Sequence, residues 1–286
     1  MRVVLLSWAL RPAAGLFRCL EATGHRVEAL VTVRRPDGRA SPLSERDLVR
    51  HRQLLEHAPP GLDIVVAAGA GHLERMVGAL RPDLLVCASF PCRVDERVLA
   101  IPRLGALNVH PSLLPRYRGP NPVGRAVMDG AGVGLSVHRM VRAFDAGPVL
   151  AQRPAPVEDG DDAAAILDRI DRLLDGVLQE AVGRAADGEP GDAQDRALAT
   201  YAPLFDDEEL VVSWERPARR IHDQVRACAL ASSRSGRRGA TGAVDGHAVR
   251  ILRTRLDPSH GGYRVDCGDA PIWVLEMEPV PAPVRS

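Results

Sequence analysis

Five short segments in the first 110 residues are apolar almost without interruption: Arg2 to Ser7 (RVVLLS), Val27 to Val33, Asp63 to Ala67 (DIVVA), Asp83 to Ala88 (DLLVCA) and Leu104 to Val109. A strand with one wet face alternates apolar and polar residues, whereas a strand covered on both faces does not. Helical patterns separate the runs: Ala13 to Ala22, a helix ending at Leu54 after the polar segment Arg34 to Glu45, and 71–80. Strand and helix in alternation predict an α/β fold, a Rossmann-like, mainly parallel open sheet with helices on both faces.

The second half reads differently. Asp161 to Ala186 carries an apolar stripe (Ile166, Ile170, Leu173, Leu174, Val177, Leu178) and is expected to form one long amphipathic helix. Polar, Gly-rich sequence follows, then a helical pattern at Arg219 to Ala229 and short strand-like segments at Ala248–Thr254, Tyr263–Cys267 and Ile272–Met277. At 286 residues the chain has room for two unequal domains. The expected division is a catalytic domain over 1–190, a linker over 191–204 and a smaller β-rich, OB-like (β-barrel-like) domain over 205–286.

Several chemistries are excluded. The turn after the first run, LLSWALRPAAG, has no GxGxxG, and no GxxxxGK[ST] occurs, so neither standard nucleotide-phosphate loop is present. All 37 basic residues are arginine, which removes any lysine nucleophile or Schiff base. The five cysteines form no CxxC pair, so they are expected to be reduced thiols with no metal site. No run of about 18 apolar residues and no signal-peptide cleavage pattern are found, so the expectation is a cytoplasmic protein without a membrane partner.

The polar exceptions lie where the fifth run ends. In LNVHPSLLPRYRGPNP (Leu107 to Pro122), Asn108 and His110 share a strand with apolar residues, and Pro111 stops it. Open α/β sheets bind ligands beyond the carboxyl ends of their strands. Downstream, GLSVHRMVRAFDAGPVLAQ (Gly134 to Gln152) places Asp145 on a loop between two strand-like pieces, Leu135–Met140 and Pro148–Gln152. Taken singly, His110 reads as a core histidine, and Asn108 and Asp145 as turn formers. Converging on one sheet edge, the three make a set for acyl transfer: a group to polarise a carbonyl, a group to stabilise an oxyanion, and a group to manage the nucleophile's proton. Ser112 has no GxSxG elbow around it, which favours direct transfer over an acyl-enzyme.

Asn108-Val-His110-Pro-Ser-Leu-Leu-Pro115 with Asp145-Ala-Gly147-Pro resembles the 10-formyltetrahydrofolate-dependent formyltransferases, including the tRNA-acting and sugar-acting members. The resemblance covers residues 1–190 well and extends more weakly through Tyr201-Ala-Pro203, Val212-Ser-Trp214 and Arg226-Ala227. It implies 10-formyltetrahydrofolate as formyl donor. It implies that Asn108 hydrogen-bonds the formyl oxygen, that His110 stabilises the oxyanion, and that Asp145 holds His110 and helps remove the amine's proton. The pterin would lie between the loop carrying Phe90, Cys92, Arg93 and Val94 and the loop carrying Met140, Arg142, Ala143 and Phe144.

The acceptor is read from departures. Ser7-Trp8-Ala9-Leu10 stands where the tRNA enzymes resemble Gly-Thr-Pro-x-Phe-Ala, the basic insertion after the second run is missing, and Arg118-Gly-Pro-Asn-Pro122 replaces Arg-Gly-Ala-Ala-Pro. Against this, Trp214 to Arg255 contains ten arginines and three acids, the balance a tRNA-binding face shows. Zero formal net charge and 3% aromatic residues argue the other way. The expectation is an N-formyltransferase acting on a small-molecule amine: an amino-sugar nucleotide, an ornithine-type amine or another natural-product intermediate. Methionyl-tRNA is the runner-up acceptor. A formyltetrahydrofolate hydrolase and a non-catalytic folate-binding module stay open beside it.

Overall fold

Val3, Val4, Leu5 and Leu6 are each 0% exposed, so the first apolar run is covered on both faces, as its lack of alternation requires. The computed structural model describes residues 1–34, 45–258 and 260–280; most of the polar segment expected from Arg34 to Glu45 lies outside the described residues. Among the described residues seven strands make one sheet: β1 (Arg2–Ser7), β2 (Arg26–Val33), β3 (Ile64–Ala67), β4 (Leu84–Ala88), β5 (Ala106–His110), β6 (Val133–Arg139) and β7 (Val149–Ala155). Their order is β3-β2-β1-β4-β5-β6-β7. The pairings from β3 through to β5 are parallel, and β6 runs antiparallel to β5. The order reverses between β1 and β4, and a cleft opens at the carboxyl ends of two such strands.

The helices are α1 (Leu10–Ala22), α2 (Glu45–His57), α3 (Ala70–Leu80), α4 (Glu96–Leu99), α5 (Pro122–Met128), α6 (Ala163–Asp171), α7 (Leu174–Ala186) and α8 (Ala218–Leu230). On one face of the sheet, Val4, Leu6, Val31, Leu85 and Cys87 pack with Leu73 and Val77 of α3 and Val98 of α4. Val3 and Leu5 are left for the opposite face, where α1 packs on β1 and against α7. There Gly15 allows close approach: a Cβ on it would lie 2.9 Å from Cδ2 of Leu174. Each such buried Val or Leu side chain contributes about 1.5–3 kcal/mol, and Leu5→Ala would cost about 2–5 kcal/mol.

The chain divides into two compact units. The first comprises Met1–Pro115, Leu135–Arg153 and Asp171–Ala199; the second comprises Arg116–Gly134, Pro154–Ile170 and Thr200–Ser286. This division explains one difference from the sequence reading. In place of one helix over Asp161 to Ala186 there are two, α6 and α7, separated at Arg172 and Leu173. Ile166 and Ile170 are buried in the second unit, and Val177 and Leu178 in the first. The periodic stripe is real, but its halves serve different cores.

In the second unit, α5 packs on α8, and α8 packs on a four-stranded antiparallel sheet of order β10-β11-β9-β8. Its strands are β8 (Ala240–Val244), β9 (His247–Arg255), β10 (Tyr263–Asp266) and β11 (Pro271–Pro279). Sequence reading misses β8, whose ATGAV is poor in strand formers. The Asp245-Gly246 turn that joins it to β9 has φ +49° and +76°, the geometry Asp-Gly favours in a two-residue hairpin. Arg125 of α5 ties this unit together, donating to both Glu209 carboxylate oxygens at 2.5 and 2.9 Å and to the carbonyls of Pro203 and Leu204.

Candidate active site

Asn108 and His110 are two residues apart on β5 and therefore point to the same face. The antiparallel pairing sets His138 of β6 opposite Asn108 and Ser136 opposite His110. Asp145 reaches this face from the loop between β6 and β7. Its Oδ1 accepts a hydrogen bond from Asn108 Nδ2 at 3.2 Å and lies 3.6 Å from both His110 Nδ1 and His138 Nε2. One carboxylate oxygen thus faces three nitrogens. The structure brings together the three residues that sequence pattern picks out, and adds a fourth.

That fourth residue, His138, is 2% exposed. Its Nδ1 lies 2.8 Å from the Arg139 carbonyl, which can only accept, so in the neutral ring the proton sits on Nδ1. Nε2 is then an acceptor, and Asn108 Nδ2 donates to it at 3.1 Å. The Asn108 amide is held in one orientation, with its nitrogen turned to Asp145 and His138. His110, 4% exposed, meets the His138 ring edge-on with centroids 6.5 Å apart. Sequence reading passed over His138 because its signal is the register of β6 on β5, which only the pairing direction supplies.

The backbone around Asp145 is tightly determined. Asp145 itself has φ +53°, in the left-handed region that side chains other than Asn and Asp seldom visit. At Gly147 a Cβ would fall 1.9 Å from the Arg139 carbonyl oxygen, so no other residue fits without moving that strand end. Gln194 donates from Nε2 to the carbonyls of both Asp145 and Gly147, at 2.9 and 2.7 Å. Sequence assigns Gln194 to a linker and gives no sign of this role.

Beside the triad, Ser136 Oγ receives the Leu114 N–H at 3.2 Å and donates to the Ser112 carbonyl at 2.6 Å, fixing the turn after His110. Ser112 is 1% exposed, buried under that turn. Cys87, paired in register with Asn108, has its thiol pushed up to about 12, chiefly by burial and further by the Asp145 charge. It is a neutral thiol at working pH, unsuited to nucleophilic attack. Neither Ser112 nor Cys87 is therefore placed to compete with an incoming nucleophile.

The formyl transferase family model matches residues 3–182, a span that contains Asn108, His110, His138 and Asp145. The chain belongs to the formyl transferase family. It is 34% identical over 277 residues to a methionyl-tRNA formyltransferase of Pseudomonas paraeruginosa, covering 93% of this chain and 87% of that protein. Among solved structures it resembles HypX of Aquifex aeolicus, with a TM-score of 0.69 at 17% identity, covering 98% of this chain but 44% of HypX. A sugar N-formyltransferase from Shewanella matches with a TM-score of 0.62 at 17% identity, covering 91% of this chain and 98% of that one.

In this formyl transferase the two loops expected to hold the folate flank one apolar cluster. Phe90, Cys92 and Met140 are half-buried against the core to which Val94 belongs, and the Met140 N–H bonds the Ala106 carbonyl at 2.8 Å. Val94 is 5% exposed, so its side chain is structural. Arg93, Arg142 and Ala143 are exposed. Phe144 is 59% and Val141 43% exposed, two apolar side chains left in the open on the loop that carries Asp145.

Proposed function

We propose that this formyl transferase moves a formyl group from 10-formyltetrahydrofolate to a primary amine of a small molecule, by direct attack of the amine. The observation that carries the reading is the convergence of Asn108, His110 and Asp145 on one point at the carboxyl end of β5, with no usable covalent nucleophile beside them. The residues around the site suit a folate. Half-buried Phe90 and exposed Phe144 and Val141 offer apolar surface to a flat ring, and the loop after β4 lies at the point where strand order reverses.

When bound, 10-formyltetrahydrofolate supplies the formyl group and the nitrogen that leaves. The Asn108 amide donates to the formyl oxygen; its 3.2 Å bond to Asp145 is the longer of its two and is the one to give way. The His110 imidazole stabilises the negative charge developing on that oxygen. Asp145 takes the proton that the attacking nitrogen must lose, the leaving folate nitrogen gains a proton in turn as its bond to the formyl carbon breaks, and His138 keeps the Asn108 amide turned the right way. All four groups are wholly or largely buried, where such electrostatic stabilisation is strongest.

A small acceptor fits the charge pattern of the second unit. Of the ten arginines between Trp214 and Arg255, Arg219 pairs with Asp159, Arg226 with Asp223, Arg234 with Asp206, Arg237 with Asp207, Arg250 with Glu278 and Arg253 with Glu276. Arg238 instead donates to the carbonyls of Ala229 and Leu230 at the end of α8. Six of the ten arginine charges are thus opposed by carboxylates, which weakens the face that phosphates would need. The second reading, methionyl-tRNA as acceptor, is favoured by the likeness to methionyl-tRNA formyltransferases along nearly the whole chain.

The test is mass spectrometry of an amine panel (an amino-sugar nucleotide, ornithine and methionyl-tRNA) incubated with enzyme and 10-formyltetrahydrofolate. His110→Ala and Asn108→Ala should each lower turnover on the accepted amine by about 10²–10³ with the fold intact. Rapid release of tetrahydrofolate that no amine alters would make the protein a hydrolase instead.

A further inference from the structure

The segment after α7 is stitched to the catalytic loop. Asp192 exchanges two backbone hydrogen bonds with Val149 of β7, at 2.9 and 2.8 Å. Gly191 makes the approach at φ +88°, where a Cβ would fall 2.9 Å from the Val149 carbonyl oxygen. The Arg139 guanidinium, at the other end of the loop, donates to the Glu189 carbonyl through both Nε and Nη2. Just beyond these anchors in the chain, Gln194 places its amide nitrogen against the two ends of the Asp145–Gly147 turn.

We infer that Gln194 is a positioning residue for catalysis, holding Asp145 in its left-handed conformation so that Oδ1 faces Asn108, His110 and His138. The inference rests on the role proposed for Asp145. A left-handed non-glycine residue is disfavoured and persists only where its surroundings over-determine it. Gly147 can relax easily; Asp145 cannot. Two N–H groups of one amide, each given to a carbonyl of the same tight turn, are the side-chain contribution to that constraint. Releasing them lets the Asp145–Ala146 and Gly147–Pro148 peptide planes rotate and the Asp145 carboxylate drift, and a drift of about 1 Å can cost about 10²-fold in rate.

The experiment uses the full chain, 10-formyltetrahydrofolate and whichever panel amine is formylated. Gln194→Met keeps the side chain's length and removes both donors. It should lower kcat about 10- to 100-fold while KM for the amine changes little. In an Asp145→Asn background the same substitution should cause no further loss, because a group acting only through Asp145 has nothing left to position. A purely structural role would instead lower activity by the same factor in both backgrounds, and that result overturns the inference, as does full activity of Gln194→Met. Gln194→Asn, one methylene shorter, gives the same comparison at less risk to folding, with a smaller expected loss that is again absent beside Asp145→Asn. Normal turnover by Asp145→Asn alone would defeat the proposed mechanism, and it is seen without any Gln194 variant.

Discussion

His138 Nε2 receives its hydrogen bond from the side-chain amide of Asn108, 3.1 Å away, and it can do so only because the Arg139 carbonyl holds the ring's proton on the other nitrogen. The orientation of the group assigned to the formyl oxygen is therefore set two bonds away, by a backbone carbonyl. His138→Phe keeps an aromatic ring, slightly larger than imidazole, and removes both nitrogens. It should lower kcat by about tenfold, the equivalent of about 1 to 1.5 kcal/mol for one hydrogen bond, with little effect on melting temperature. Single-turnover kinetics at saturating donor would check this; unchanged kinetics would show that Asn108 needs no such brace.

The same carbonyl makes a second, harsher prediction. Gly147→Ala would drive a methyl group to within 1.9 Å of the Arg139 oxygen. Either the loop or the strand end must move, and both carry site residues. Turnover should fall at least 10²-fold, a loss typical of misplaced catalytic groups. A crystal structure of the variant should show Asp145 or His138 displaced; a fully active Gly147→Ala enzyme would mean that the loop geometry described here is not the working one.

Stability should depend on pH through His222. This histidine of α8 is 1% exposed, bonded to Thr254 Oγ1 and the Asp159 carbonyl. Burial first, and the neighbouring Arg226 charge second, push its pKa down from 6.5 to about 4. Below pH 6.5 the unfolded chain takes up a proton that the folded one refuses. The stabilisation is present in full above 6.5 and is lost as pH falls toward 4, amounting to roughly 3 kcal/mol at most. Melting curves of the wild type and His222→Gln between pH 4 and 8 should therefore converge at the acid end. Parallel curves would refute the assignment.

For the acceptor, a filter-binding titration with initiator tRNA discriminates. With six of the ten arginines paired to carboxylates, affinity at about 0.15 M salt should be weaker than micromolar, since each exposed pair adds only ~0–1 kcal/mol to stability yet cancels a charge. Micromolar or tighter binding that falls steeply with log salt, at about −0.7 to −0.9 per phosphate contact, would favour methionyl-tRNA.

What could be read from sequence follows from how local each signal is. Unbroken apolar runs such as Val3–Leu6 report burial on both faces directly, so the parallel sheet was legible. Asn108, His110 and Asp145 stood out because they interrupt or bound those runs. His138 did not, since it alternates normally along β6 and gains meaning only from the strand it lies beside. Gln194 is 49 residues from Asp145, in polar sequence with no periodicity, and nothing local reveals its partner. The break between α6 and α7 was hidden for the opposite reason: a stripe of constant period crosses from one core to another.

That crossing has a consequence for how the protein can be taken apart, in the laboratory or in evolution. The second unit is assembled from three separate stretches, of which Arg116–Gly134 and Pro154–Ile170 interrupt the stretches that build the first. One cut in the gene near residue 190 would leave α5 and α6 behind, severed from the α8 helix and the sheet with which they form one unit. Exchange of the C-terminal portion among relatives thus has to preserve the α5 surface that meets α8, even though α5 lies in the stretch that the family shares. Acceptor specificity, if it is carried by that portion, is inherited together with its seat.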